Sequence, residues 1–575
     1  MRRKILFIPD MRYFKVFLSI LFCVCFSSNP LLAERFFADD IGAQTFVLSY
    51  NSEENSADVV NSIVGTEAFW NVGITGQNTK IANIELGVYW NEHYVFQNSN
   101  LGEVYVPEGA DVSSLYSSHA TGTAHILAGY NSDNSNNFAY LLSLGIAPST
   151  ELSAGAVARD ISGERVSVEL ADFYGVYSHF FGKSDVINSS WGPDSTLANN
   201  VFSNIIDSLA ANNTNTVMVV SAGNSGPGEN TVQSMALAFN VISVGALGNA
   251  HSYDSIAEFS SRSPSDFYNP ITKETVKGAR PAIDISAPGE NISFAVYDPE
   301  NPDSKDLFSW SGGTSLSAPI VSGVASLMKS ASYSLAEAYG DAYGDLFEKQ
   351  RDARVVKAIL LNSAKKPSDW TNNQTLSSYT TTIEMSGFSI TSTYGNVILT
   401  RQGLDYVYGA GSLNADGALK HVLNLTQSMY WALDSVESGS SLWYNLGLVE
   451  AGKYLTATLV WNVNGEVSEI SNEQAQIDNL YFSNLGLELW TVIDGSHNLV
   501  AVSDTEYNNV EHLYLKLATD GEYLLRVTFF NMAYGEMPSS ETYAIAFSVI
   551  PEPSFIAAFA GIFALLIIFR RRVLR

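Results

Sequence analysis

Four polar side chains between residues 85 and 315 have the chemical types needed for acyl transfer. Ser315 follows two glycines and precedes Pro319 and an apolar run, which predicts a serine at the start of a buried helix. Unpaired N–H groups and the helix dipole favour negative charge at such a position. His119 supplies an imidazole that titrates near neutral pH, Glu85 a carboxylate and Asn224 an amide. Together they could serve as nucleophile, base, orienting acid and oxyanion donor.

Each of these residues also has a purely structural explanation, so the elements that carry them matter. A serine at a helix start is commonly a cap, and the sequence from Asn224 to Pro227 is typical of a turn. From about 60 to 425, strand-like runs alternate with helical patterns, which predicts α/β architecture with a mainly parallel sheet. Glu85 lies near the end of one of these runs and Asn224 follows another, where such sheets place their active sites. The strand-like runs are Lys80–Leu86, Val186–Ser189, Thr216–Ala222 and Phe239–Ala246.

The segments around these residues resemble the motifs of the subtilases, the subtilisin-like serine peptidases. Residues 313–319, Gly-Thr-Ser-Leu-Ser-Ala-Pro, are similar to the family's nucleophile motif and place Ser315 on the nucleophile. Residues 118–129 resemble its histidine motif, with His119 on the base, and residues 219–227 resemble its oxyanion segment, with Asn224 on the donor. The resemblance spans about 60–425 in the family's order. It implies helices on both faces of the sheet and a serine endopeptidase for proteins or peptides that needs no cofactor for catalysis.

The sequence departs from the family pattern at the acid and beside the base. Glu85 stands where the family has Asp, and a glutamate can still orient and stabilise an imidazolium. Gly122 replaces a second histidine and His125 replaces a glycine, so His125 is an alternative base that costs a gap in the match. These departures leave a second hypothesis open: an inactive subtilase-like scaffold that binds a surface or matrix through its C-terminal domain.

The resemblance also implies a substrate cleft. Residues 186–192 are similar to the strand that binds extended substrates, a known mode of peptide recognition. By this match the cleft is lined by Ser190, Trp191, Gly192, Ala222 and Gly223. Structural calcium is frequent in the family, but no loop here has a recognisable ligand spacing, so no residue is assigned to a metal.

A second domain is predicted after the catalytic domain, which we place at 61–425. Residues 430–549 contain short alternating runs separated by turns such as Asp494-Gly495, a pattern typical of an all-β sandwich. Residues 366–400, rich in Ser, Thr and Asn, are interpreted as a loop or hairpin insertion. Residues 34–60 form a short segment in front of the catalytic domain.

Residues 1–33 have the order of a secretory signal: basic residues, the apolar run from Val16 to Phe26, and a small residue, Ala33, at a plausible cleavage point. An uncleaved anchor is the alternative, and initiation at Met11 would give a more ordinary signal. Cys23 and Cys25 both lie in this run, so a cleaved protein would hold no cysteine. A disulfide framework or a cysteine nucleophile is then excluded.

Residues 550–575 combine Pro551-Glu552-Pro553, a predicted transmembrane helix at 555–569 and an arginine cluster at 570–572. This order resembles the PEP-CTERM sorting signal, with a simple tail anchor as the alternative. The resemblance implies anchoring in the membrane before processing by an exosortase, and a final location at the cell envelope, at the surface or outside the cell.

Charge excludes one class of partner. The chain has 31 Lys and Arg against 59 Asp and Glu, a formal charge of −28. Residues 1–33 and 551–575 hold nine of the basic residues and two of the acids, so the remainder carries 22 basic and 57 acidic residues. Such a surface repels phosphate backbones, and nucleic-acid binding is not expected.

Overall fold

The computed structural model describes residues 5–6, 48–51, 56–131, 144–163, 166–193, 195–197, 200–248, 253–385, 388–423, 426 and 428–550. Apart from Ile5–Leu6, the predicted signal region therefore lies outside the described residues, as do the predicted sorting signal at 551–575 and its transmembrane helix. In the described part of the chain, no helix is long and apolar enough to span a membrane.

A mainly parallel sheet forms the centre of the N-terminal part, as predicted. Its spatial order is β7-β6-β5-β4-β1-β3-β2, with β8 beside β6, and only β7 runs antiparallel to its neighbour. The strands are β1 Lys80–Glu85, β2 Asn100–Tyr105, β3 Glu151–Ala156, β4 Val186–Ser189, β5 Val217–Ser221, β6 Ile242–Gly248, β7 Ser255–Ile256 and β8 Ile285–Pro288.

Helices cover both faces of this sheet because its inner strands are apolar on both sides. The described α-helices are α1 Val60–Val64, α2 Glu67–Trp70, α3 Ser118–Ala128, α4 Leu170–Phe180, α5 Val201–Asn212, α6 Thr314–Gln350, α7 Ala353–Ser363 and α8 Ala415–Leu423. Ile81 and Val219 pack with α3 and α6, whereas Ile84 and Val220 pack with α4 and α5. Neighbouring residues thus face opposite layers, as the pleat of a strand requires.

Two smaller β units flank the sheet. Phe308–Ser311, Ile292–Ala295, Leu48–Asn51 and Ser56–Val59 form a four-stranded sheet in that spatial order. Ser265–Tyr268 and Thr275–Arg280 pair with each other as an antiparallel ribbon.

Two further sheets, formed mainly by antiparallel strands, come from the C-terminal part of the chain. One has the order β11-β19-β13-β17; the other has the order β12-β18-β15-β16-β10-β9, with β14 beside β15 and Ile5–Leu6 beside β12. The strands are β9 Thr375–Met385, β10 Phe388–Thr400, β11 Met429–Glu437, β12 Ser441–Val449, β13 Tyr454–Trp461, β14 Asn464–Ile470, β15 Ala475–Ile493, β16 Ser496–Ser503, β17 Val510–Lys516, β18 Gly521–Tyr534 and β19 Ser540–Ile550. Their facing side chains share one apolar core that includes Leu459, Leu487 and Phe547.

The β-rich part packs closely on the α/β part. Helix α7 lies against β13 and β19, and the hairpin of β14 and β15 lies over α4 and α5, where Val467 and Ile477 join their apolar cluster. The hairpin is also bonded to these helices, because Asn212 Nδ2 donates to the Gly465 carbonyl at 2.9 Å. The hairpin of β9 and β10, interpreted from the sequence as an insertion, extends the larger of the two C-terminal sheets through β16.

Candidate active site

The end of β1 and the start of α3 bring Glu85 and His119 together. Glu85 is the last residue of its strand, and its side chain is 2% exposed, whereas the imidazole of His119 is 47% exposed. His119 Nδ1 lies 3.3 Å from Glu85 Oε2, and Glu85 Oε1 accepts the backbone N–H of Ser190 at 2.9 Å. One carboxylate oxygen is thus held by the backbone while the other faces the imidazole.

A buried polar network underlies this pair and joins four elements. Asn188 Nδ2 of β4 donates to Asn83 Oδ1 of β1 at 2.9 Å, and Asn83 Nδ2 donates to Thr123 Oγ1 of α3 at 3.0 Å. Ser322 Oγ of α6 donates to Asn188 Oδ1 at 2.9 Å. Hydrogen-bonded networks of this kind are rigid where water is excluded. The network therefore fixes α3 and α6 relative to the strand that carries Glu85.

Ser315 and Asn224 face the same small space above the start of α6. A methyl group placed on Gly313 would lie 3.0 Å from Ser315 Oγ and 3.5 Å from Asn224 Nδ2. Asn224 Oδ1 accepts the backbone N–H of Thr314 at 2.8 Å and its hydroxyl at 3.0 Å. The hydroxyl of Thr314 in turn accepts the N–H of Gly223 at 3.1 Å. With its oxygen held by Thr314, the Asn224 amide has its nitrogen beside Gly313, where Ser315 Oγ also lies.

All four side chains line one open cleft of about 370 Å³. Of the predicted cleft residues, Ser190, Trp191 and Gly192 line it, Ala222 is fully buried, and Gly223 abuts the side chain of Gln233. The lining also includes residues that sequence reasoning did not identify: Leu86, Ser117, Ser221, Gln233 and Thr314. Thr314 lay inside the nucleophile motif and Ser221 inside the oxyanion segment, but no pattern singled out Gln233.

The two unusual residues of α3 have separate structural roles. His125 is fully buried, accepts the backbone N–H of Ala295 at 3.2 Å through Nδ1, and does not line the cleft. Gly122 leaves room for Phe294, because a methyl group there would lie 2.5 Å from the ring. The exchange of glycine and histidine thus fits the strand Ile292–Ala295 against the helix, and it leaves His119 as the imidazole that faces Glu85.

The chain matches a known protein family over more than half of its length. The family model described as "Peptidase_S8: Subtilase family" matches residues 76–411. The chain belongs to the subtilase family.

Relatives of this subtilase include the subtilisin-like protease SBT6.1 of Arabidopsis thaliana, 29% identical over 47% of this chain and 23% of that protein. Bacillopeptidase F of Bacillus subtilis is 28% identical over 46% of this chain and 18% of its own. The thermophilic serine proteinase of a Bacillus species is 28% identical over 46% and 55%, respectively. The subtilase thus spans a quarter or less of the length of the first two relatives. Among solved structures, the prenylagaramide maturation protease PagA matches 62% of this chain and 98% of its own, with 21% identity and a TM-score of 0.41.

Metal binding has no evident site in the described part of this subtilase. No group of three or more His, Cys, Asp or Glu side chains there could hold a metal ion. Structural calcium therefore stays a prediction, and it enters no step of the chemistry considered below.

Two opposing effects set the pKa of His119. The surrounding protein shields part of the imidazole from water, which favours its neutral form and lowers the pKa, but the nearby charge of Glu85 favours the imidazolium, and the net result is a raised pKa. The ordinary value is 6.5. Near neutral pH the carboxylate thus stabilises the protonated form that a general base must pass through.

We expect the acid limb of the kcat/KM profile to lie above pH 6.5, because protonated His119 cannot accept a proton. Activity is lost as the pH falls through the raised pKa. In Glu85→Gln the attraction is gone, so the limb should move to lower pH even though the rate is smaller. A profile with the same midpoint in both proteins would show that Glu85 does not control this imidazole.

We expect Asn224→Leu to lower kcat by a factor of about 10² to 10³ with little change in KM, since the amide would act on charge that develops during reaction. That range was obtained with subtilisin, a member of the same family. Thr314→Val, which removes one of the bonds that orient Asn224, should give a smaller loss of kcat. Steady-state kinetics on one peptide substrate measures both effects, and a loss confined to KM would contradict them.

Proposed function

We propose that this subtilase is a serine endopeptidase that hydrolyses peptide bonds through an acyl-enzyme at Ser315. One observation carries the proposal: Ser315, His119, Glu85 and Asn224 come from four separate elements and line a single open cleft. The pair of Glu85 and His119 stands at 3.3 Å within it.

In the first half of the reaction, Ser315 Oγ attacks the scissile carbonyl carbon and His119 Nε2 takes its proton. The carbonyl oxygen becomes an oxyanion, which the Asn224 side chain and the backbone N–H of Ser315 stabilise. Collapse of this intermediate breaks the C–N bond, and His119 returns the proton to the leaving amine. The acyl group is then bound to Ser315 as an ester.

In the second half, His119 removes a proton from a water molecule that attacks the ester carbonyl. The same donors hold the second oxyanion. Its collapse breaks the bond to Ser315 Oγ, which takes the proton back from His119, and the new carboxyl end leaves. Serine and imidazole are thereby restored.

Glu85 would act on the imidazole rather than on the substrate. It fixes the tautomer with the proton on Nδ1, leaves Nε2 free to accept a proton, and stabilises the imidazolium of each half-reaction. The hydrogen bond from Ser190 to Oε1 keeps the buried carboxylate in place for this task. Glutamate would thus replace the usual aspartate without a change in mechanism.

Cleavage of an unfolded protein tests the proposal directly. Purified protein should cut fluorescently labelled casein at internal bonds, and prior treatment with a fluorophosphonate should stop the cleavage. Mass spectrometry of the fragments distinguishes internal cuts from removal of terminal residues. Cleavage that persists after full modification of Ser315 would overturn the proposal.

A second function is favoured by the place of Glu85. Its 3.3 Å contact with His119 is longer than the 2.7–2.9 Å usual for charge-assisted hydrogen bonds. An inactive scaffold that binds a surface or matrix through the C-terminal strands β11–β19 would tolerate such a pair. In that case the serine would not react with a fluorophosphonate, and binding to isolated cell-envelope material would survive Ser315→Ala.

Export and sorting to the cell envelope are proposed from the two ends of the chain. The order of basic, apolar and small residues in 1–33 supports secretion, and Pro551-Glu552-Pro553 before an apolar run and arginines supports exosortase processing at the membrane. Terminal sequencing of protein from the envelope should find a start near Glu34 and loss of residues near the C-terminus. A protein that keeps both ends and stays inside the cell would contradict this proposal.

A further inference from the structure

Gln233 lies between two segments that we call the walls of the cleft, residues 190–192 and residues 221–224. A methyl group added to Gly223 would lie 2.6 Å from Gln233 Cγ and 2.8 Å from Cδ. A methyl group on Gly192, from the other wall, would lie 3.3 Å from Gln233 Oε1. The side chain therefore occupies the gap between the walls.

The backbone holds Gln233 at this place. Its N–H donates to the carbonyl of Ala222 at 2.9 Å, next to the glycine that its side chain touches. The following residues, Ser234–Leu237, form a buried 3₁₀ turn. Gly223 is held from its other side by the hydroxyl of Thr314. The Gln233 side chain is therefore held in the lining of the cleft by its backbone hydrogen bond and by its neighbours.

The position of Gln233 determines which substrate residue its side chain would contact. Gly223 directly precedes Asn224, which would bind the carbonyl oxygen of the bond to be cut. The side chain on the same substrate residue would then enter the gap between Gly192 and Gly223. Gln233 lies close to both glycines and therefore limits the size of that gap.

The chemistry of the lining restricts that side chain further. Among the residues that line the cleft, the charged ones are Glu85 and His119, and these face each other. A lysine, arginine or acidic side chain would therefore lose its hydration without gaining an ion pair. Trp191 lies next to Gly192 in the lining of the cleft. Its ring packs edge-on against Phe173, with 6.2 Å between the two ring centroids.

We infer that Gln233 sets the cleavage specificity of this subtilase by closing the pocket for the residue that precedes the scissile bond. The pocket then accepts small uncharged side chains such as alanine and serine. Aromatic side chains are excluded because the amide fills the space that they need. The inference rests on the proposed peptidase function.

Peptide substrates that differ only in the residue before a fluorogenic leaving group test it. The wild-type protein should cleave the alanine peptide with a kcat/KM about tenfold or more above that of the phenylalanine peptide. Gln233→Ala removes the side chain between the walls and should lower this ratio about tenfold or more. Gln233→Leu keeps a side chain of similar size and should keep the preference for alanine.

Labelling with a small fluorophosphonate, which does not enter the pocket, separates the two levels of failure. If the wild-type protein and both variants label but the alanine-to-phenylalanine ratio stays constant, the inference is wrong and the peptidase function stands. A wild-type preference for phenylalanine has the same meaning. If the wild-type protein neither labels nor cleaves, the proposed function fails and the inference fails with it.

Discussion

Ser315→Ala is expected to lower kcat by a factor on the order of 10⁶, the loss found when the nucleophile of subtilisin, another member of the family, is removed. The reason is that the proposed mechanism forms the acyl-enzyme at Ser315 Oγ, and alanine has no hydroxyl that could attack the carbonyl carbon. KM and the thermal unfolding midpoint should change little, since the side chain is small and only partly buried. Single-substrate kinetics and a melting curve measure these quantities.

Ser317→Ala is the matched control on the same turn of α6. Ser317 Oγ is buried and has no hydrogen-bond partner in the described part of the chain, so its removal leaves no new unpaired group. We expect activity close to that of the wild-type protein. Equal activity in Ser315→Ala and Ser317→Ala would show that the nucleophile lies elsewhere.

Glu85→Gln is expected to lower kcat by a factor of about 10⁴, as the equivalent loss of the acid does in other serine peptidases. Glutamine has the same shape but cannot stabilise the imidazolium, and it can hold His119 in the wrong tautomer. The hydrogen bond from Ser190 can still form, so the protein should fold. Kinetics measured at several pH values separate this loss from a shift in the pKa of His119.

Glu85→Asp distinguishes an active site that uses glutamate as its acid from an inactive site. Aspartate is one methylene shorter, so it cannot reach both Ser190 and His119 from the present strand position. A misplacement of about 1 Å costs a factor on the order of 10² in rate. We therefore expect the variant to be slower than the wild-type protein. If the wild-type protein were inactive and Glu85→Asp active, glutamate would be the reason for the inactivity.

Strand periodicity predicted much of the fold because local patterns specify strands. The run Val186–Ser189 is a strand with those bounds, and the run Lys80–Leu86 is a strand that ends one residue earlier, at Glu85. The parallel order of the central sheet followed from the alternation of strands and helices. Pairing between distant strands could not be predicted: β10 joins β16 across about a hundred residues, a contact that no local pattern encodes.

The residues of the candidate site were identified from motifs, since each of them lies in a segment with recognisable neighbours. What supports the site was not predictable in the same way. The network of Asn83, Asn188 and Ser322 depends on side chains that meet only after folding. Gln233 stands in no motif, and only its packing between Gly192 and Gly223 reveals it. Glycine at 122 is explained only by Phe294, a neighbour from another element.

Fluorophosphonate labelling of the purified wild-type protein, followed by peptide mapping, tests the central claim most directly. An organised nucleophile, base and acid should give one adduct, on Ser315, at a rate that falls as the pH drops through the raised pKa of His119. His119→Ala should prevent the reaction. An unlabelled wild-type protein, or an adduct on another serine, would contradict the assignment of Ser315, His119 and Glu85 as one catalytic site.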